Sequence, residues 1–288
     1  MQTITITPTT PTTPTIGRPT PTVADRIVSR TRRTDIASVP AAIASEWIKL
    51  RSLRSNRTIF GLAIVAGLVM SWVLATFVKT DPYDHKAFTV AGSFMVSTWL
   101  TTVLAVIVGI LAFTSEVQHG TLAHSIAAQP ARWVTVAGKA TVVAGFGLAM
   151  GAAGMVAGFA SAAASGLYMG NTSGIAATAG WSLLLTTMAG VLGVGIGMII
   201  RHSSAAVSTA LVWTFVIENL VRSMAPSSVS RFLPFSAANG LLTIRSAGDT
   251  TATIVARLSR PQDALLFAAY TIAALAVGIA LLNRRDAE

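Results

Sequence analysis

The chain has 288 residues, of which 52% are hydrophobic and only 11% are charged, and it carries a net charge of +10 without any cysteine. Soluble domains carry about 25% charged residues, so this composition predicts a surface that mostly faces lipid. The absence of cysteine excludes disulfides, thiolate metal sites and cysteine catalysis. The basic residues cluster beside apolar segments, which indicates orientation in a membrane and not binding to nucleic acid.

The first 38 residues are predicted to form a disordered cytoplasmic tail. Residues 1–23 consist largely of threonine and proline, which leave almost nothing to bury, and residues 24–37 are polar and basic. We interpret the segment as an untethered terminus. A docking or phosphorylation tail is the alternative.

An amphipathic helix is predicted to begin after Pro40 and to lie in the membrane interface. One apolar stripe recurs at helical spacing: Ile43, Trp47, Leu50 and Leu53. Glu46 interrupts this stripe, whereas Lys49 is expected to face away from it. The residues assigned to the interfacial helix are Trp47, Lys49, Leu50, Arg51 and Arg54.

Six apolar segments are predicted to cross the membrane. They cover residues 58–78, 88–113, 140–167, 176–200, 204–221 and 263–282. A 21-residue helix such as the first reaches about 31 Å, which is enough to cross the hydrocarbon core. Residues 39–288 are therefore predicted to form an all-α membrane domain with six transmembrane helices, preceded by the interfacial helix. Residues 114–139 are predicted to form a polar break between the second and third spans.

The distribution of lysine and arginine predicts the orientation. Six spans place both termini on one side, and that side carries 14 basic residues against 7 on the other. Cytoplasmic segments are enriched in Lys and Arg, so both termini are expected on the cytoplasmic side of the membrane.

Glycines recur four residues apart in the third and fourth spans. The third span contains Gly147, Gly151, Gly154 and Gly158, and the fourth contains Gly193 and Gly197. Such glycines lie on one helix face and allow two backbones to approach closely. Ordinary packing between helices is our interpretation, and a moving or dimerising interface is the alternative.

Few residues offer chemistry of their own. Glu218 lies inside the fifth span, where charges are costly and often functional, and Arg222 follows at i+4. A simple ion pair is one interpretation, and a candidate substrate path lined by both residues is the other. Asp81, Asp84 and His85 could hold a metal, but a solvated loop is favoured and no metal site is predicted.

The chain lacks the phosphate-binding loop of ATP-hydrolysing enzymes. Gly138 and Lys139 form its one Gly-Lys pair, but Ala140 replaces the required serine or threonine and Trp133 the first glycine. We therefore expect no ATPase site and no catalytic residue in this chain.

Several segments resemble type-2 ABC transporter permeases of actinobacteria. Residues 45–55 resemble the amino-terminal signature of that family, and residues 116–122 resemble its Glu-x-x-x-Gly-Thr stretch. Further similarities are found at residues 130–132, 231–242 and 284–287. Val117 and Gln118 depart from the family, which often has an aromatic residue and an arginine there.

The resemblance implies the permease subunit of an ATP-driven exporter. A separate ATP-binding cassette subunit would bind ATP and Mg, so this chain would bind no cofactor, and a second permease copy, identical or different, would complete the pair. The resemblance places the segment that couples to the ATPase at Glu116, His119, Gly120, Thr121 and Leu122, within residues 116–128. It also implies short helices in the long outer segment between the fifth and sixth spans.

Two other functions are compatible with the sequence. The first is a membrane scaffold or immunity protein without transport. The second is an ion-coupled secondary carrier in which Glu218 binds a proton, although such carriers usually show internal symmetry and several buried charges.

Overall fold

The computed structural model describes residues 23–52, 54–78, 90–122, 131–165, 175–243 and 257–285, with side chains described from Ser38 onwards except at a few helix ends. The chain divides into two compact units, Met1–Ala37 and Ser38–Glu288. All regular elements in the described ranges are helices, which confirms the all-α prediction for them.

Ten α-helices and one π-helical turn follow each other in the described residues. They are α1 (Val23–Ser52), α2 (Arg54–Val78), α3 (Val90–Gln118), α4 (Arg132–Ala164), α5 (Ile175–Ile200), α6 (Ser203–Val212), the π-helical turn (Trp213–Ile217), α7 (Glu218–Met224), α8 (Ser227–Ser230), α9 (Pro234–Leu242) and α10 (Arg260–Arg285).

The first helix begins earlier than predicted. Residues 23–37, the described part of the first unit, are helical, and Pro40 lies inside α1 and not before its start. The helix therefore extends into residues 23–37, which were predicted to belong to the tail. Residues 24–37 contain neither glycine nor proline and include four arginines, which favour helix. Residues 1–22 lie outside the described part of the chain.

The six predicted spans are confirmed as helices long and apolar enough to cross a membrane. They are Arg54–Leu74, Met95–Gln118, Arg132–Ala164, Ile175–Ile200, Ser203–Met224 and Arg260–Arg284. The fifth combines α6, the π-helical turn and α7. The polar break is shorter than predicted, because α3 continues to Gln118 and α4 already begins at Arg132.

Helix α3 is the centre of the bundle. Its span is 72% buried, against 17% for the span of α2 and 22% for those of α6–α7 and α10. It packs against α5, α4 and α2. The outer helices expose large apolar side chains such as Val65, Phe215 and Leu265, as expected for surfaces that face lipid.

The glycine faces are used inside the chain. A Cβ at Gly109 of α3 would overlap the backbone of α5 at Gly190, and one at Gly147 would lie 2.6 Å from the carbonyl oxygen of Thr186. Gly154 and Gly158 of α4 meet side chains of α3 in the same way. These contacts support the packing interpretation, since each glycine face is already covered by a helix of this chain.

The segment between the fifth and sixth spans contains the short helices α8 and α9. Helix α9 buries Phe235 and Leu241 against the bundle. The Phe235 ring packs edge-on against Trp99 of α3 and Phe267 of α10, with ring centroids 5.8 and 6.4 Å away. Stacking of this kind holds the short helix between two spans.

Candidate functional site

Two acidic and two basic side chains meet where α1, α3 and α4 come together. Glu46 and Lys49 lie on α1, Glu116 lies in the last turn of α3, and Lys139 lies in α4. We call these four residues the charge cluster. Their formal charges cancel, so the cluster as a whole is neutral.

Each lysine of the charge cluster bridges both glutamates. Lys49 Nζ lies 2.7 Å from Glu46 Oε1 and 3.0 Å from Glu116 Oε1. Lys139 Nζ lies 2.5 Å from Glu46 Oε2 and 2.9 Å from Glu116 Oε1. Lys139 also donates to the carbonyl oxygen of Ala112, 3.1 Å away. The result is a closed ring of four ion pairs that ties three helices together.

Burial makes these contacts energetically important. Glu46, Glu116 and Lys139 are 5%, 8% and 3% exposed. Isolating one such charge from water costs several kcal/mol, and a partner with good geometry offsets much of that cost. Removing one member therefore leaves a buried charge without its counter-ion, which is why the cluster constrains how the three helices pack.

Lys49 is the half-exposed member, and its pKa reports the balance between water and its partners. Burial lowers the pKa of the ammonium, but the hydrogen bond with Glu46 and the charge of Glu116 outweigh burial and raise the pKa above its ordinary value. Lys49 is therefore firmly protonated at neutral pH.

The local sequence explains how α1 presents its two charges. Glu46 and Lys49 are three residues apart and share a helix face. Ile43 and Leu50 pack on the same side, against a cluster of apolar side chains that includes Val136. Asn56 Nδ2 donates to the carbonyl oxygen of Leu50, 3.1 Å away, across the junction between α1 and α2.

This geometry corrects the predicted stripe of the interfacial helix. Trp47 is 48% exposed and Ile48 is 68% exposed, so the surface-facing side of α1 is the one that carries the tryptophan. The prediction that Lys49 faces away from the packed side was wrong, because its ion pairs draw it toward α3. Arg51 and Arg54 are exposed. The side chain of Leu53 lies outside the described residues.

A cavity of about 400 Å³ adjoins the charge cluster. Glu46, Lys49, Glu116 and Lys139 all line it, together with His119 beyond the end of α3. Glu116 Oε2 is buried and has no hydrogen-bond partner among the described residues.

The predicted coupling segment lies directly beside this cavity. His119 Nδ1 lies 2.7 Å from the carbonyl oxygen of Ser115, and Gly120 has a φ of 68°, a left-handed conformation that often ends a helix. His119, Gly120 and Thr121 are exposed, whereas Leu122 packs against the apolar cluster beneath α1. Residues 123–130 lie outside the described part of the chain.

Comparison with known proteins assigns the family. A family model described as ABC-2 family transporter protein matches residues 42–220, more than half of the chain. The chain belongs to the ABC-2 family of transporter proteins. The match confirms the predicted relationship to type-2 ABC permeases, and it contains all four residues of the charge cluster. No curated protein sequence matched the chain.

Sequence reasoning about this ABC-2 family member missed half of the cluster. It placed Lys49 and Glu116 in separate predicted groups, which the structure brings together, but it assigned no role to Glu46 or Lys139. One signal was available: Glu46 interrupts an apolar stripe, and Lys139 stands at the start of an apolar segment. Charged residues at such positions are almost never buried unless they are paired.

Glu218 and Arg222 lie elsewhere in the ABC-2 fold, on α7. Glu218 is fully buried, and its Oε1 lies 3.4 Å from Arg222 Nη2. Its Oε2 accepts a hydrogen bond from the backbone N–H of Phe235, 3.1 Å away, in the first turn of α9. The ion pair is therefore present, and both carboxylate oxygens have partners. A role in a substrate path stays a prediction.

The remaining metal candidates, Asp81, Asp84 and His85, lie outside the described residues. Within the described ranges, no group of three or more His, Cys, Asp or Glu side chains could hold a metal ion.

Proposed function

We propose that this ABC-2 family protein is the permease subunit of an ATP-driven exporter in the bacterial plasma membrane. In this proposal a separately encoded ATP-binding cassette subunit binds ATP and Mg, and a second permease copy completes the transport path. The family match and the six apolar spans support the proposal. Both termini and the charge cluster would then face the cytoplasm.

The observation that carries the proposal is the charge cluster. It joins the helix that precedes the first span to the end of the second span and the beginning of the third. A force applied to residues 119–122 would move Glu116 directly. Because both lysines bridge Glu116 to Glu46, α1 and α4 would have to move with it.

Helix α3 supplies the route from this end of the bundle to the other. It is the most buried span, and its backbone approaches α5 closely at Gly109. Packed cores do not deform continuously, so a displacement at the end of α3 would shift α5 and α4 as bodies. Rocking of this kind would change which side of the membrane the transport path opens to.

The other functions fit the site less well. A secondary carrier would need an available carboxylate at Glu218, but both of its oxygens are engaged. A scaffold or immunity protein would not need an ATP-binding partner, so the partner separates that alternative from an exporter.

The coupling experiment uses the full chain coexpressed with a candidate ATP-binding cassette subunit from the same genome. We expect Glu116→Gln and Leu122→Pro to copurify with that subunit but to lose most of the ATP hydrolysis that depends on the permease, because the first weakens two ion pairs and the second breaks the segment that receives the motion. Thr141→Ala is the matched control, since Thr141 is exposed on α4 only two residues after Lys139.

Two results would contradict the proposal. One is failure of any ATP-binding subunit to copurify with the wild-type chain. The other is wild-type stimulation of ATP hydrolysis in both variants. Orientation can be tested in the same cells, because the chain has no native cysteine. A membrane-impermeant maleimide should label Ser227→Cys in intact cells and Thr121→Cys only after permeabilisation.

A further inference from the structure

A second cavity, of about 440 Å³, lies where α7, α8 and α9 meet the start of α10. Helix α10 begins at this cavity and ends near the charge cluster, where Leu282 packs in the same apolar cluster as Leu50. The two cavities therefore lie at opposite ends of the bundle. Nothing in the coupling mechanism uses the second one.

Arginine dominates the charge of this second cavity. Arg222, Arg231 and Arg257 line it, and Asp263 is the acidic residue among its described lining. Arg222 also contacts Glu218, but through one nitrogen at 3.4 Å. A guanidinium has five N–H donors, so this contact leaves most of the donors of Arg222 available.

Several donors around the cavity are buried without a partner. Arg222 Nε, Arg231 Nε and Ser236 Oγ have no hydrogen-bond partner among the described residues. Leaving such groups unpaired costs free energy that a ligand with suitable acceptor oxygens would recover. All three donors belong to residues that line the same cavity.

Neighbouring groups hold the Arg231 side chain in place before any ligand binds. Its guanidinium carbon lies 5.0 Å from the centroid of the Phe232 ring. The carbonyl oxygen of Phe232 accepts a hydrogen bond of 3.0 Å from the Tyr270 hydroxyl, which anchors this segment to α10. An arginine held in place by its neighbours loses little entropy when it binds a ligand.

We propose that this cavity binds a phosphate group, carried by a soluble phosphate ester or by the headgroup of an anionic lipid. Arginine forks match phosphate oxygens, and a phosphate offers terminal acceptors to several donors at once: three in a monoester and two in the diester of a lipid headgroup. Arg231 and Ser236 would donate to the ligand, Arg222 would hold both Glu218 and the ligand, and Arg257 would contribute its charge from the exposed rim. This site goes beyond the proposed exporter function and does not depend on an ATP-binding partner.

The test uses the purified full chain in dodecyl maltoside, which contains no phosphate. Calorimetric titration with glycerol 3-phosphate measures the soluble ester, with glycerol as the uncharged comparison. Native mass spectrometry measures retention of phosphatidylglycerol against phosphatidylcholine. The variants are Arg231→Gln and Arg257→Gln, and the control is Arg284→Gln, an exposed arginine about 36 Å along α10 from its start.

We expect Arg231→Gln to weaken binding roughly tenfold, as the loss of a charge-assisted hydrogen bond should, and Arg257→Gln to weaken it less. Binding of the ester identifies a soluble ligand, and selective retention of phosphatidylglycerol alone identifies a lipid headgroup; both outcomes support the proposal. It is overturned if neither probe binds, if neither cavity variant weakens binding, or if Arg284→Gln weakens it equally. Should Arg231→Gln fail to fold, Arg257→Gln decides, because Arg257 is exposed and its replacement should not disturb the fold.

Discussion

Glu116 and Glu218 are both buried carboxylates, but they lie at opposite ends of the bundle and hold different things together. Glu116 pairs with Lys49 and Lys139, which come from two other long helices. Glu218 pairs with Arg222 on its own helix and with the backbone of Phe235 only 17 residues away. One carboxylate connects distant elements, whereas the other fastens a local turn.

The two carboxylates also differ in what remains available. Both oxygens of Glu218 have partners, and one of them satisfies an N–H in the first turn of α9, as an N-terminal cap does. Glu116 receives both lysines on Oε1, whereas its Oε2 is buried without a hydrogen-bond partner among the described residues. Two buried carboxylates can therefore have different structural roles. The role depends on whether their partners lie on distant helices or on neighbouring residues.

The largest loss of stability is expected for substitutions in the charge cluster. Lys139→Met should lower the free energy of unfolding by about 3–5 kcal/mol, because it leaves two buried glutamates facing only the half-exposed Lys49. Thermal unfolding of the detergent-solubilised protein measures the change. Adding Glu46→Gln should recover part of the loss, since it removes one of the two carboxylates that then share Lys49 as their cation.

Thr141→Ala is the control for this prediction, because it changes an exposed residue of the same helix. A loss of stability no larger in Lys139→Met than in this control would show that the charge cluster does not hold the helices together. Failure of the double variant to recover any stability would count against the assigned pairing.

This long-range pairing also marks what the sequence could not predict. The six spans follow from apolar segments of about 20 residues, which any membrane-crossing helix requires. Thr114–Gln118 and Arg132–Lys139 were predicted as a polar break because their charges resemble those of a loop. Their helical structure depends on partners as far as 93 residues away, such as Glu46 for Lys139, and no local pattern contains that information.

A smaller loss of stability is expected for a substitution of Glu218. Glu218→Gln keeps the size of the side chain and an acceptor for Phe235, so it should cost about 1–2 kcal/mol through the weakened charge-assisted contacts. Arg222, with 35% of its side chain exposed, can turn to water when its partner is neutral. The same unfolding measurement applies. A loss as large as that of Lys139→Met would erase the distinction between the two ends.

The smallest expected effect is the pH dependence of the stability that Lys49 contributes. The pKa of Lys49 is raised above its ordinary value of 10.5, because its two carboxylate partners outweigh burial. The stabilisation from its charge is therefore complete below the ordinary pKa and is lost as the pH rises through the raised one.

The difference in melting temperature between wild type and Lys49→Met should thus be constant from about pH 7 to 9 and shrink only at more alkaline pH. A Lys49-dependent difference that already declined below pH 9 would show that the ion pairs do not hold its proton.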